Sequence, residues 1–440
     1  MPSKAELRRI ARRLLGKARL PETVVRVIST RTVHLRFFHR GPTTAGITDR
    51  VDVEVTASID GRSATVSGMA ARLADAERVL ADAEALARIA PVDPEHVPPV
   101  GRVRMPAVRH FDRGLGNLSA DGLQRLVRPA VETAVARGVE PSGFCRVDAM
   151  RIVMADSAGL DVADDGTHLS LSLTCRTPDG TGSSKGGIAS HRGDGHDPAK
   201  LAAKVADAAL RSKDPRPIDP GRYTVVLAPE AAADLLGFLR WGMDRRAADE
   251  GRSAFSKPGG GTRIGERMFD PRVRLWSDPA DRRHPSSPLG PGGWPVRRHV
   301  WIDDGTLKDL PVGRYWAGKL GIDPIYMGSS MFLAGEGGTV DELVAKVDRG
   351  IYVTRFWYNR MLSPRTLTVT GLTRDGTFLV EGGKIVHPVR NLRYNDSPLS
   401  LLTRVEHLGA PVRAGLSRSV VVVPPMVVRE FTFSSSSDAV

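Results

Sequence analysis

His191, Asp194, His196 and Asp197, in the run HRGDGHD, form the densest group of metal-ligating side chains in the sequence. Two imidazoles and a carboxylate are donor types that a divalent cation accepts, and a cation held there would polarise water or a carbonyl for hydrolysis. Asp-Gly turns in polar loops produce the same run, and no third strong ligand lies close in sequence, so a solvated loop is the simpler reading. Lys257–Thr262 (KPGGGT) is rich in glycine, but a phosphate-cradling P-loop needs lysine and a hydroxyl after its second glycine, and here the order is wrong. Neither a G-x-S-x-G elbow nor a G-x-G-x-x-G turn between strand and helix occurs, so hydrolase and dinucleotide readings have no anchor. His34, His39, His387 and His407 are read as surface or packing residues, and Cys145 and Cys175 as small core residues rather than nucleophiles. Two cysteines make neither a CxxC zinc cluster nor a disulfide framework, which fits a reducing, cytoplasmic compartment.

The elements that would position these residues are legible from periodicity. Leu7, Ile10, Leu14 and Leu15, set against Arg8, Arg9, Arg12, Arg13 and Lys17, predict a surface helix with one apolar stripe. Thr23–Phe38 and Val51–Val66 alternate as half-buried strands, the second with a hairpin signal at Asp60-Gly61. Met69, Leu73, Ala76, Leu80, Ala83 and Ala87 then share one face of a long helix. A helix over Ser119–Gly138 should kink or shorten at Pro129, and strands follow at Cys145–Ala155 and Thr167–Thr174. Another helix starts at Pro198. Lys213–Gly221 (KDPRPIDPG) reads as a Pro-rich linker, which divides the chain into an N-terminal domain over 1–212 and a C-terminal domain over 222–440. Beyond it, a strand at Tyr223–Leu227, a helix at Glu230–Arg246 and short alternating runs between Asp-Gly and Gly-Gly turns predict a mainly antiparallel β domain with a few helices. The expected class is α+β, opening on an antiparallel sheet covered by helices. The polar tail Ser434–Val440 is expected to fray.

Composition sets the outer limits. A chain of 440 residues with 41% hydrophobic and 26% charged residues is ordinary for a globular protein of two or three domains. No apolar run approaches the roughly 18 residues of a membrane span, and the first twenty residues lack the apolar core of a secretory signal, so a soluble protein without a membrane partner is expected. The net charge of +13 makes a polyanion a partner to test. Aromatic residues are only 5% and are not interleaved with the basic ones, so no stacking platform for single strands is visible and specific nucleic-acid binding is not expected.

Past the linker, the order of segments is distinctive: PGRYTVVLAPEAAADLLGF, RSAFSKPGGGTRIGERMFD, WPVRRHVWIDDGTLKDLPVGRYWAGKLG and SPRTLTVTGLTRDGTFLVEGGKIVHPVRNLRYNDSPLSLL. This series resembles the TldD/TldE (PmbA) family of metallopeptidases over almost the whole C-terminal half. The N-terminal half agrees more loosely, through ADSAGLDV and TPDGTGSSKGG. In that family the TldD subunit carries H-E-x-x-x-H on the helix after the first C-terminal strand, with a later cysteine completing a zinc site. Histidines hold the cation, and the glutamate activates the attacking water. The equivalent window here is Leu236–Trp241 (LGFLRW): Leu236, Gly237 and Trp241 stand where ligands and base would be, and no cysteine follows Cys175.

The resemblance therefore implies the TldE side of the family: a subunit without catalytic residues, metal or cofactor of its own, paired in a heteromer with a zinc-bearing TldD-like subunit. It would help to form a cleft in which small, unfolded or modified peptides are cut. Peptide-contacting candidates lie in the best-matching segments: Thr373 and Arg374 in GLTRDG, and Asn391, Arg393 and Asn395 in NLRYND. Turn stabilisation is their competing role. Two other readings stay open, an autonomous hydrolase with an atypical metal site at His191 and His196, and a basic protein associated with nucleic acid.

Overall fold

Strict alternation of small apolar and polar residues builds the first sheet. The computed structural model describes residues 1–39, 41–415 and 420–437. Helix α1 (Lys4–Lys17) precedes strands β1 (Glu22–Phe38), β2 (Gly41–Ile59) and β3 (Arg62–Met69). Helices α2 (Leu73–Ile89), α3 (Arg113–Gly116) and α4 (Ala120–Ala136) follow, then β4 (Glu140–Asp156), β5 (Asp161–Arg176), β6 (Ser183–Ser190) and α5 (Pro198–Arg211). The six strands form one antiparallel sheet in the order β3-β2-β1-β4-β5-β6. Asp60 and Gly61, both at positive φ, turn β2 into β3, and β2 starts ten residues earlier than the alternation predicts.

The odd-numbered residues of β1 face a helical layer. At one end of the strands Val25, Val27 and Val53 meet Leu7, Ala11 and Leu14 of α1 and Ala76, Leu80 and Ala83 of α2. At the other end Val33, Leu35 and Cys145 meet Val127 and Ala130 of α4 and Ala202 and Val205 of α5. Both cysteines are buried core residues. Met69 and Leu73 are exposed rather than part of the α2 face; Met69 ends β3. Helix α4 runs through Pro129 without a break in its assigned span, contrary to the expected kink or shortening. Pro129 lies on the exposed side, where water can serve the carbonyl it leaves unpaired, while the apolar face holds the helix to the sheet.

After Lys213–Pro220 come β7 (Gly221–Leu227) and α6 (Pro229–Gly242). The helix predicted to continue to Arg246 ends at Gly242, because Asp244 accepts from the Ala247 N–H at 2.6 Å and caps a new turn over Arg245–Asp249. Two sheets enclose α6. The larger runs Phe356–Ser363, Thr368–Thr373, Leu392–Asp396, Met426–Ser436, β7, Arg349–Val353, Thr377–Glu381 and Lys384–Pro388, with Val405–Leu408 also on Met426–Ser436. The smaller runs Thr306–Leu307, His299–Asp303, Leu275–Ser277, Phe332–Leu333, Val421–Val423 and Val412–Ala414. Pairing is antiparallel except where β7 meets Arg349–Val353 and where Phe332 meets Val422, so the C-terminal sheets are mixed and the fold is α+β. Leu235, Leu236 and Leu239 of α6 join Trp301, Phe356, Tyr394 and Phe431 in one core. Ser434–Ser436 do not fray: Ser435 and Ser436 pair with Arg393 and Leu392, while 438–440 lie outside the described residues. Among the described residues, no helix is long and apolar enough to cross a membrane.

Candidate functional site

Helix α6 is the place to look for a zinc site, and its donor set does not fit one. Leu236 is 1% exposed and packs in the core, whereas Trp241 is 64% exposed. Neither an aliphatic side chain nor an indole, whose ring nitrogen only donates, can ligate a cation. Gly237 faces solvent and offers no side-chain donor. The nearest carboxylate on the helix, Asp234, accepts from the Phe356 N–H at 3.0 Å.

The HRGDGHD loop also fails to converge. Arg192 grips both oxygens of Asp194, at 2.7 and 2.5 Å, and Asp197 caps α5 by accepting from the Lys200 N–H at 2.9 Å. Both carboxylates are thus committed elsewhere, and His191 lines a separate cavity shared with His284. Among the described residues, no three His, Cys, Asp or Glu side chains are placed to hold one. Burial lowers the pKa of both His191 and His196, with Arg413 the next influence on each.

The five candidates in GLTRDG and NLRYND divide into two groups. Thr373, almost wholly buried, accepts from the Leu392 N–H at 2.9 Å and donates to Asn391 Oδ1 at 3.3 Å; Thr377 reaches the same oxygen at 3.2 Å. Arg374 stacks on Trp357, its guanidinium carbon 4.1 Å from the ring centroid. These three residues lie together beside the seam between the two halves. Arg393 and Asn395 do not join them: they occupy the exposed positions of a strand whose buried positions are Leu392, Tyr394 and Asp396. Asn391 precedes that strand, so the alternation that exposes Arg393 and Asn395 does not govern it.

At that seam the structure assembles residues that motif reading passes over. Asp375 and Gly376 turn with φ of 57° and 130°, a conformation that suits glycine and that aspartate tolerates. The turn carries the Asp375 carboxylate across to the N-terminal half. Its Oδ1 accepts from Ser183 of β6 at 2.9 Å, and its Oδ2 pairs with Arg355 at 3.1 Å. Thr354 donates to the Gly376 carbonyl at 2.9 Å and fixes the turn. Lys185 of β6 and Asp234 of α6 lie within electrostatic range of the same group. Burial pushes the Asp234 carboxyl up to about 6, against the lowering effects of the Phe356 N–H and Arg355. Burial also lowers Lys185, helped by Arg355. A cavity of about 230 Å³ opens beside the turn, lined among others by Thr181, Ser183, Asp375, Thr377 and Asn391. This hollow, with hydroxyl, amide and carboxylate groups on its walls, can take a hydrogen-bonding ligand. The sequence signal was present in TPDGTGSSKGG and GLTRDG, but β6 was not predicted and Asp375 read as a turn former.

Comparison with known proteins places this architecture. Residues 220–435 match the PmbA/TldA metallopeptidase C-terminal domain, and residues 117–213 match the PmbA/TldA metallopeptidase central domain. No curated protein sequence matches the chain. Among solved structures, TldE from Thermococcus kodakarensis superposes with a TM-score of 0.87 at 15% identity, covering 98% of this chain and 100% of that one. A proposed modulator of DNA gyrase from Thermotoga maritima gives a TM-score of 0.85 at 18% identity, with 97% and 100% covered. Another described in the same way, from Bacteroides thetaiotaomicron, gives 0.85 at 18% identity, with 98% and 99% covered. At such identities the likeness shows the fold.

Proposed function

The chain belongs to the PmbA/TldD metallopeptidase family, and from that premise we propose that it is a metal-free, TldE-like subunit acting beside a zinc-bearing, TldD-like partner. One observation carries the reading: α6 presents buried Leu236, featureless Gly237 and outward Trp241 where the zinc-bearing subunit of the family has histidine, glutamate and histidine. A helix of this kind keeps its packing role and loses the chemistry. The resemblance to a TldE structure over both full lengths favours the same side of the pair.

In this role the chain supplies one wall of a peptide cleft in the cytoplasm, and the substrates are small, unfolded or modified peptides. Its larger C-terminal sheet ends on Phe356–Ser363, an edge strand with exposed Trp357, Tyr358 and Leu362. An unpaired edge carrying exposed apolar side chains suits strand addition, by a peptide or by the partner subunit. The test is elemental analysis of the mildly purified chain. The reading expects far less than one zinc per chain. One zinc per chain, lost in His191→Ala or His196→Ala, would replace it with the autonomous hydrolase.

A further inference from the structure

Between the two halves, away from the Asp375 seam, lies a cavity of about 160 Å³ lined by four histidines from separate segments: His110, His168, His191 and His284. His284 is 7% exposed, and neither of its ring nitrogens has a hydrogen-bond partner; the buried Nδ1 of half-buried His191 also lacks one. Their backbones are nevertheless held firmly. Thr167 donates to the His191 carbonyl at 2.7 Å, and Ser330 donates to the His284 carbonyl at 2.7 Å. Both residues line the cavity, and their unmet buried nitrogens are costly to leave without a partner. His110 differs, since its Nε2 lies 3.0 Å from both oxygens of Asp164.

The surrounding charges select the ligand. A cation is disfavoured: no three donors converge among the described residues, and two guanidinium groups bear on His284. Arg413 donates to the Ala189 carbonyl at 3.4 Å, and Arg240 donates to the carbonyls of Gly328 and Ser329, the latter residue lining the cavity. Neither has a carboxylate partner among the described residues, and burial lowers the pKa of both. Of the nearby carboxylates, Asp148 pairs with Arg146 at 2.7 Å and Asp164 is hydrogen-bonded by His110 at 3.0 Å. Half-buried cations without counter-ions, next to imidazoles with unmet nitrogens and to serine hydroxyls, form a site for negative charge.

We propose that this histidine-lined cavity binds a small oxyanion, a phosphate or a carboxylate, with His191 and His284 as hydrogen-bond partners and Arg413 as the compensating charge. At roughly 30 Å³ per water the cavity has room for such an ion and a few waters, not for a folded partner's side. The proposal does not depend on the peptidase reading, because the histidines it uses lie outside α6.

The test is histidine-ring NMR of the full chain, titrated separately with inorganic phosphate, acetate and zinc alone, with His191→Gln and His284→Asn identifying the resonances. Saturable shifts of His191 and His284 with phosphate or acetate, and affinity weakened about tenfold or more in Arg413→Met, are expected; whichever anion saturates names the ligand class. Should His284→Asn fail to fold, Arg413→Met, at a partly exposed position, carries the comparison alone. Shifts that never saturate, anion binding unchanged in Arg413→Met, or saturable shifts with zinc alone would each overturn the proposal.

Discussion

Asp375 holds the two halves together through single atoms, and its removal should be felt across the seam. Its side chain is 5% exposed and Arg355's is 16%, so Asp375→Asn leaves a mostly buried guanidinium without its counter-charge. The expected loss is about 3 kcal/mol, read as a lower urea midpoint, and an unchanged midpoint would contradict the role assigned to this contact. Asp234 gives a pH signature. A carboxyl raised from its ordinary 3.8 to about 6 binds more protons folded than unfolded, so its contribution is present below 3.8 and is lost as pH rises through 6. His191 and His284, lowered from 6.5 to about 4 and about 3 by burial and then by Arg413, act oppositely: their contribution is present above 6.5 and is lost as pH falls. Only the difference between variant and parent isolates Asp234. Asp234→Asn keeps an acceptor for the Phe356 N–H, and should gain stability relative to the parent as pH rises from about 4 to about 7. A difference that stays flat over that range would show that Asp234 is not perturbed.

At the scale of elements, α4 shows packing prevailing over local preference. Leu123, Val127, Ala130, Val131 and Ala134 bury one face, and this outweighs an exposed proline in mid-helix. Pro129→Ala restores a backbone donor without removing buried surface, so it should stabilise the protein by about 2 kcal/mol in urea unfolding, and no gain would mean the proline is already accommodated without penalty. The same competition explains what the sequence makes legible. Strands β1, β4 and β5, helices α1, α2 and α5, and the Asp60-Gly61 turn carry strong periods or turn chemistry and are found where these put them, although β4 and β5 start five and six residues earlier than predicted. Strand β6 (SSKGGIAS) is hidden because serines and glycines carry no apolar alternation, although its Gly186 is pressed against Val205 of α5. The break after Gly242 is hidden because Asp244 looks like one more helical polar residue until its side chain is seen capping the next turn. Of the candidate site, motif reading reached Thr373, Arg374 and Asn391 but missed Lys185, Asp234, Arg355 and Asp375, whose meeting depends on the docking of two halves and leaves no local spacing to read.

For the whole molecule, the seam combines polar contacts with an apolar patch where Leu289 packs against Ile152, Met154, Leu160 and Val162. Besides Ser183 and Asp375, Arg246 binds both oxygens of Glu95 at 2.6 and 2.5 Å, and Arg297 donates to the Arg104 carbonyl at 2.8 Å. Contacts of this type orient the halves and leave the apolar edge strand Phe356–Ser363 facing outward, where a second subunit can continue the sheet. The family fold is complete, with Leu235, Leu236 and Leu239 of α6 in its core, and the proposed role is that of a subunit in an assembly. Peptide hydrolysis should therefore be measured with this chain alone, with its zinc-bearing family partner alone, and with the two co-purified. The account predicts a stable complex whose cleavage requires both chains. Cleavage by this chain alone at the rate of the mixture, or failure of the two chains to associate, would contradict it.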